Sequence, residues 1–155
     1  MIVFRIAKRT HAADITGTGA ALYPGRWNKK GTPVLYTGET KEIALLETVV
    51  HTPPMMVPDL DVLTIEIPGD SVTELSIHDL PPNWFQYPAP TVLSEIGQRW
   101  VLENKTVALK VPSCIIHTSH NFILNCKHKD YRKVIVLEHG GFYFDPRLTK
   151  LQQVS

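Results

Sequence analysis

The spacing of apolar positions changes several times along the chain, and each spacing predicts a different element. Residues 2–7 and 32–38 are short apolar runs beside polar or glycine-containing stretches, which is typical of strands. Residues 39–52 have the length of a helix and end before a Pro-Pro pair. Residues 60–69 alternate apolar and polar side chains, as a half-buried strand does. Between the first two strands, the glycines and proline of residues 17–28 predict a loop.

The second half of the chain continues this mixture of elements. Residues 80–90 contain too much proline for a helix or a strand, and residues 91–105 return to helical spacing. Further strands are predicted at residues 106–118, 132–139 and 141–145. Gly140 and Gly141 then predict a hairpin turn between the last two strands.

Strands outnumber helices in this series and do not alternate with them regularly, which favours the α+β class. The chain has 155 residues, of which 43% are hydrophobic and 20% charged, as expected of one globular domain. We therefore predict a single domain over residues 1–155, with a mixed β-sheet core and a few helices.

Charge and hydropathy exclude several classes of function. The net charge is +1 and the basic residues are dispersed, so the sequence predicts no direct binding of nucleic acid. The longest apolar runs fall well short of the roughly 20 residues that span a bilayer, and the first residues lack the features of a secretory signal. A cytoplasmic location without membrane contact is the expectation.

A glutamate in the first predicted helix is a candidate for chemistry. Glu47 lies at the margin of a narrow polar sector, and Ile43 and Val50 flank it at helical spacing. Its carboxylate is therefore predicted to lie beside hydrocarbon. Two interpretations remain open on this pattern, a solvated glutamate on a helix face and a residue that faces a cleft.

Two further candidates lie upstream of this glutamate. Arg26 follows a Pro-Gly turn and either binds an anion with its planar fork or stacks on Trp27 at the surface. Tyr36, near the end of a strand, either caps the core or provides a ring against which a flat ligand stacks. Neither pattern is decisive by itself.

Five potential metal ligands lie within fifteen residues, namely Cys114, His117, His120, Cys126 and His128. If the segment from residue 113 to 118 is a strand, Cys114 and His117 point to opposite faces. We therefore predict no metal site. Because a chain of this size without an export signal keeps its cysteines reduced, we also predict two free thiols. The common nucleotide-binding and serine-nucleophile motifs are also absent, so a nucleotide would need another architecture.

Several motifs in order resemble the RES domain, a family named for an arginine, a glutamate and a serine. They are FRIAK at 4–8, GTGAALYPGRWNKKGTPVLYTGET at 17–40, ALLETVVH at 44–51, LKVPSCII at 109–116, NFILNCKHKDY at 121–131 and FDPRL at 144–148. The resemblance covers nearly the whole chain. It departs from the family pattern at Cys126 and Lys129, where many relatives have prolines.

This resemblance implies a fold like that of ADP-ribosyltransferases and an activity that consumes NAD as substrate without a metal. It assigns catalytic roles to Arg26, Tyr36, Glu47 and Ser113. Arg5, Arg26, Tyr36 and Ser113 would bind NAD. In these roles the arginines pair with the pyrophosphate, the tyrosine stacks on nicotinamide or ribose, and the glutamate stabilises a ribosyl cation. The serine would hold a ribose hydroxyl or the glutamate, with a plain turn residue as the alternative.

The resemblance also implies a biological setting. Members of this family are toxins of bacterial type II toxin–antitoxin pairs, so an Xre-like antitoxin that itself binds DNA is the expected partner. Self-association into a homo-oligomer is a further expectation. The acceptor of the ADP-ribosyl group stays open between water, phosphate and a protein.

Overall fold

A computed structural model describes residues 1–149, and within this range one mixed seven-stranded sheet is packed with four α-helices. The strands are β1 (Ile2–Lys8), β2 (Val34–Gly38), β3 (Leu60–Glu66), β4 (Val72–Glu74), β5 (Ala108–Pro112), β6 (His120–Asn125) and β7 (Ile135–Phe142). The helices are α1 (Arg9–Ala12), α2 (Thr18–Leu22), α3 (Lys41–Val50) and α4 (Thr91–Glu103). The predicted α+β class is confirmed. No helix in this range is long and apolar enough to cross a bilayer.

The strand order is β4-β5-β6-β2-β1-β3-β7, with β4 and β5 parallel and the other neighbours antiparallel. The neighbouring strands β1 and β2 are hardly paired with each other. Strand β1 pairs with β3 along its whole length and β2 with β6 along its whole length, but β1 meets β2 only where Phe4 is opposite Gly38. The sheet therefore opens into a split between β1 and β2.

Apolar side chains cover both faces of the sheet because successive strand residues point to opposite sides. On one face, Ile123 of β6 packs with Leu93 and Trp100 of α4 in a cluster that contains three buried tryptophans. On the other face, Phe122 and Leu124 pack with residues of β1, β3 and β5. The split lies beside the tryptophan-rich cluster.

Two close backbone approaches fix the elements around the split. A Cβ atom on Gly97 of α4 would lie only 1.7 Å from the Trp27 carbonyl oxygen, so the helix crosses the loop after α2 at this glycine. A Cβ on Gly38 would lie 2.9 Å from the Ala44 nitrogen, so α3 packs tightly on the end of β2. Thr40 caps α3 by accepting a hydrogen bond from the Ile43 N–H at 3.1 Å.

Three predicted elements are wrong in detail. Gly140 and Gly141 form no hairpin turn, because β7 runs through both residues while pairing with β3. The predicted strand at residues 106–118 stops at Pro112, where a turn begins. The predicted loop at residues 17–28 contains the short helix α2. Strands β4 and β6 were not predicted.

Candidate active site

A cavity of about 1090 Å³ occupies the split between β1 and β2. Its walls come from both strands, from α3, and from the loops that follow α1, α2 and β5. Four of the five candidate residues line it, namely Arg5, Arg26, Tyr36 and Glu47. The topology thus brings side chains from four separate segments of the chain to one hollow.

Glu47 lies on the side of α3 that faces the cavity. Its Oε1 accepts a hydrogen bond from Asn121 Nδ2 at 3.0 Å, and Asn121 stands on β6 directly opposite Gly38 of β2. Hydrocarbon shields Glu47 from solvent on one side only, because Ile43 is buried whereas Val50 is 57% exposed. Glu47 is therefore a half-buried cleft residue oriented by a neutral amide.

The partner Asn121 is a site residue that the sequence patterns did not indicate. It is 74 positions from Glu47 in the chain, so local spacing could not reveal the contact. The usable signal was a polar residue at the start of the apolar stretch NFIL, which forms a central strand.

Arg26 is held by the loop at residues 80–90 that the sequence predicted. Its Nη1 donates to the carbonyl oxygens of Trp84 at 2.7 Å and Gln86 at 2.9 Å. Trp27, the surface stacking partner in the alternative interpretation, is 4% exposed and belongs to the core. The guanidinium is thus fixed at one end and lines the cavity.

Tyr36 supports the loop after α2, which carries Arg26. Its hydroxyl donates to Asn28 Oδ1 at 2.7 Å and accepts from the Trp27 N–H at 3.1 Å, while the ring leaves no space for a side chain at Gly25. Burial raises the pKa of the phenol, so Tyr36 remains neutral at physiological pH. The residue therefore orients the Arg26 loop and presents its ring to the cavity.

Arg5 is an incompletely satisfied cation. Its Nε and Nη2 donate to the carbonyl oxygens of Ala12 and His11, both at the long distance of 3.4 Å. Burial lowers the pKa of this guanidinium, and the charge of Asp14 opposes that shift. A half-buried cation with weak neutral partners is suited to binding an anion.

Ser113 does not line the cavity, and its geometry matches the turn-residue alternative. The side chain is fully buried, and its Oγ accepts hydrogen bonds from the N–H groups of Ile115 at 3.1 Å and Ile116 at 3.2 Å. Among residues 1–149 Ser113 forms no hydrogen bond with Glu47, and its contact with a ribose hydroxyl stays a prediction. Ser113 instead holds the turn whose Cys114 and Ile115 form part of the cavity wall.

Residues 2–145 match a family model described as the RES domain. The chain belongs to the RES domain family. The chain is 35% identical to "Toxin Res" of Yersinia enterocolitica over 96% of its length and 99% of that relative. It is 34% identical to "Toxin Res" of Photorhabdus laumondii over 99% of this chain and all of the relative.

A third relative carries a more specific name. The "Prs ADP-ribosylating toxin" of a Sphingobium species is 30% identical over 93% of this chain and 92% of that protein. Among solved structures, the Mycobacterium tuberculosis MbcT-MbcA toxin-antitoxin complex matches with a TM-score of 0.76. That match covers 96% of this RES domain and 86% of the other chain at 14% identity, so it bears on the fold alone.

The charges in the cavity of this RES domain are held by neutral groups. Among residues 1–149, none of Arg5, Arg26 and Glu47 forms an ion pair with another side chain. The charges of Glu47 and Arg26 nevertheless both act on the Cys114 thiol. Burial and then the charge of Glu47 raise the pKa of this thiol, whereas the charge of Arg26 lowers it. The carboxylate and the guanidinium therefore act on a common region of the cavity, in opposite directions.

The geometry of the potential metal ligands differs from what the sequence suggested. The residues after Pro112 form a turn, so the strand geometry used to separate Cys114 from His117 does not apply. Within residues 1–149, no group of three His, Cys, Asp or Glu side chains is arranged to hold a metal ion. Both cysteines are free thiols, as predicted.

Proposed function

We propose that this RES domain is the toxin of a bacterial toxin–antitoxin pair and that it cleaves the nicotinamide–ribose bond of NAD. One observation carries the proposal. A single cavity joins a carboxylate, oriented by a neutral amide, to two guanidinium groups and an aromatic ring. In the described part of the chain, none of the three charged groups forms an ion pair with another side chain. These are the groups that a reaction with a ribosyl cation and a pyrophosphate requires.

Cleavage of the nicotinamide–ribose bond leaves positive charge on the sugar, as in glycoside hydrolysis. The Glu47 carboxylate would stabilise that charge. At about 4 Å and an effective dielectric constant near 20, the interaction contributes on the order of 4 kcal/mol. This corresponds to roughly a thousandfold in rate if it arises mainly in the transition state. Asn121 would keep the carboxylate oriented without neutralising it.

The size and charge of the cavity suit a dinucleotide. Pockets for drug-sized ligands are typically about 300–1000 Å³, and this cavity of about 1090 Å³ is slightly larger than that range. Arg26 and Arg5 would bind the pyrophosphate, which fixes the ribose relative to Glu47. The ring of Tyr36 would contact nicotinamide or ribose, because its hydroxyl is engaged with the loop.

The acceptor of the ADP-ribosyl group would be water or inorganic phosphate. The alternative is transfer to a protein, which the name of the Sphingobium relative favours. Incubation of the purified protein with NAD, with and without phosphate, distinguishes these outcomes by chromatography of the products. Hydrolysis yields ADP-ribose, phosphorolysis yields its phosphorylated form, and protein transfer leaves labelled ADP-ribose on added bacterial proteins. If NAD stays intact in all three conditions, the proposed activity is wrong.

A toxin that consumes NAD needs a neutralising partner. We infer an Xre-like antitoxin that supplies DNA binding for the pair, and self-association of the toxin into a homo-oligomer. The likeness to the MbcT-MbcA toxin-antitoxin complex and the toxin names of the relatives support this setting. Co-purification with the protein encoded beside the toxin, followed by mass measurement in solution, tests both inferences. A monomer that no neighbouring gene product neutralises would contradict them.

A further inference from the structure

A carboxylate that the proposed reaction does not use also lines the cavity. Asp14 lies in the loop after α1, and its Oδ1 accepts hydrogen bonds from the Thr16 N–H at 3.0 Å and the Thr16 hydroxyl at 2.5 Å. Within the described part of the chain, no hydrogen bond engages Oδ2. The bonds from Thr16 lower the pKa of Asp14, so the side chain is ionised at neutral pH.

Asp14 and Glu47 line the same cavity but interact with different strands of the sheet. The charge of Asp14 acts on Arg5 of β1, whereas Glu47 is bound to Asn121 of β6. Strand β2 lies between β1 and β6. Arg5, which would bind the pyrophosphate, is therefore the guanidinium on the Asp14 side of the cavity.

A dinucleotide with its reacting ribose at Glu47 therefore extends toward Arg5 and brings its second ribose to Asp14. We propose that Asp14 makes the site selective for NAD over NADP, an inference that rests on the proposed NAD cleavage. The free Oδ2 would accept a hydrogen bond from the 2′-hydroxyl of the adenosine ribose. In NADP a phosphate replaces that hydrogen, and an ionised carboxylate repels it.

Neighbouring cations do not reverse this preference. Arg5 lines the cavity, acts on the charge of Asp14 and would attract a phosphate group. The pyrophosphate common to NAD and NADP carries two negative charges, which Arg5 and Arg26 would balance. Lys8 also lines the cavity, but it is three residues from Arg5 on β1 and therefore points to the opposite face of the strand. An additional 2′-phosphate at Asp14 then meets a carboxylate whose neighbouring guanidinium is already bound to the pyrophosphate. Because Asp14 is exposed, solvent screens the repulsion, and the expected preference is on the order of tenfold.

The test compares nicotinamide release from NAD and from NADP by the full-length protein. Asp14→Asn removes the charge, while the amide oxygen still accepts both hydrogen bonds from Thr16. Asp70→Asn makes the same charge change at an exposed position that does not line the cavity, and serves as the control. We expect wild type and Asp70→Asn to prefer NAD by about tenfold in kcat/KM, and Asp14→Asn to lose most of this preference through a lower KM for NADP.

The outcomes separate the two proposals. Equal cleavage of NAD and NADP by wild type, or an unchanged ratio in a folded Asp14→Asn protein, overturns the role of Asp14 and leaves NAD cleavage standing. If neither dinucleotide is cleaved, the proposed function fails, and calorimetric titration with NAD and NADP then decides the selectivity. Equal affinity for both, or no binding of either, overturns the inference in that case.

Discussion

Two regions of this RES domain bring acids and cations together, and they use them differently. At the junction of β3 and β7, Asp61 is bound by Arg9 Nε at 2.8 Å and by His139 Nε2 at 2.7 Å. Arg9 also contacts Asp59 at 3.1 Å. In the split between β1 and β2, by contrast, Glu47 is bound among residues 1–149 only by the Asn121 amide.

The presence of a hollow does not distinguish the two regions. A second cavity, of about 410 Å³, is lined by Arg9 and Asp59 and lies beside the Asp61 cluster. The distinction lies in the partners of the charges. In the Asp61 cluster opposite charges bind each other, which ties α1, β3 and β7 together. In the split, amides and carbonyls hold each charge in place without neutralising it, as catalysis requires.

The largest expected effect is the loss of catalysis on removal of the Glu47 charge. Glu47→Gln preserves shape and the hydrogen bond from Asn121, so nicotinamide release should fall about 1000-fold while the melting temperature stays within about 2 °C. Stopped assays of NAD cleavage and thermal unfolding by circular dichroism measure the two quantities. A variant that retains wild-type turnover would remove Glu47 from the mechanism.

A smaller effect is expected when the partner of Glu47 is removed. Asn121→Ala leaves the carboxylate in the cavity but free to rotate, so kcat should fall about 10- to 100-fold with little change in KM. Steady-state kinetics on NAD give both parameters. Asn83→Ala, in the exposed part of the loop after β4, is the control and should match wild type. A rise in KM alone would mean that Asn121 contacts NAD and does not position Glu47.

Tyr36 should affect stability more directly than chemistry. Tyr36→Phe keeps the ring but leaves the Trp27 N–H and the Asn28 side chain without their hydroxyl partner, which costs about 1–3 kcal/mol in the free energy of unfolding. Urea denaturation measures this change. Tyr143→Phe, at a position 80% exposed, should have no effect and serves as the control. Equal stability of the two variants would contradict the support assigned to Tyr36.

The Asp61 cluster should contribute to stability in a pH-dependent way. Hydrogen bonding from Arg9, and then from His139, lowers the pKa of Asp61 below its ordinary value of 3.8. Because the folded pKa is lowered, the contribution is complete well above pH 4 and disappears as the pH falls through the folded-state value. Asp61→Asn should therefore melt below wild type at pH 7, with the difference shrinking as the pH falls below 3.8.

The same variant completes the comparison, since it should cleave NAD at the wild-type rate. Thermal unfolding of wild type and Asp61→Asn between pH 3 and pH 7 provides the measurement, with NAD cleavage at pH 7 as the second readout. A melting difference that persists unchanged at low pH would show that the ion pair is not its origin.

Local patterns predicted the elements that carry most of the site, but not the pairing that creates the cavity. The helix with Glu47 and the strands with Arg5 and Tyr36 follow from apolar spacing and from glycine and proline breaks. The split depends on β1 meeting β2 at only one residue pair, and strand register between distant segments is not encoded in local periodicity. The continuous path of β7 through Gly140 has the same cause, because pairing with β3 overrides the turn preference of glycine.

The sequence also did not predict which side chains and backbone groups contact each other in the site. The family motif singled out Ser113, but the serine is buried under a turn, and only the fold shows that its hydroxyl is already bound to backbone. Asn121 and Asp14 face the cavity from segments whose sequence shows no catalytic pattern. Their positions follow from tertiary packing, which brings them opposite Glu47 and Arg5.

The central claim is that the unpaired charges in the split bind NAD. The most direct test is to measure NAD binding by a variant that cannot cleave it. Calorimetric titration of Glu47→Gln with NAD supplies the measurement, and Glu47→Gln combined with Arg5→Gln supplies the comparison. We expect one bound NAD per chain in the single variant and at least about tenfold weaker binding in the double variant, because a charged hydrogen bond to the pyrophosphate is lost. Absence of NAD binding by the folded single variant, or equal affinity in both proteins, would contradict the account.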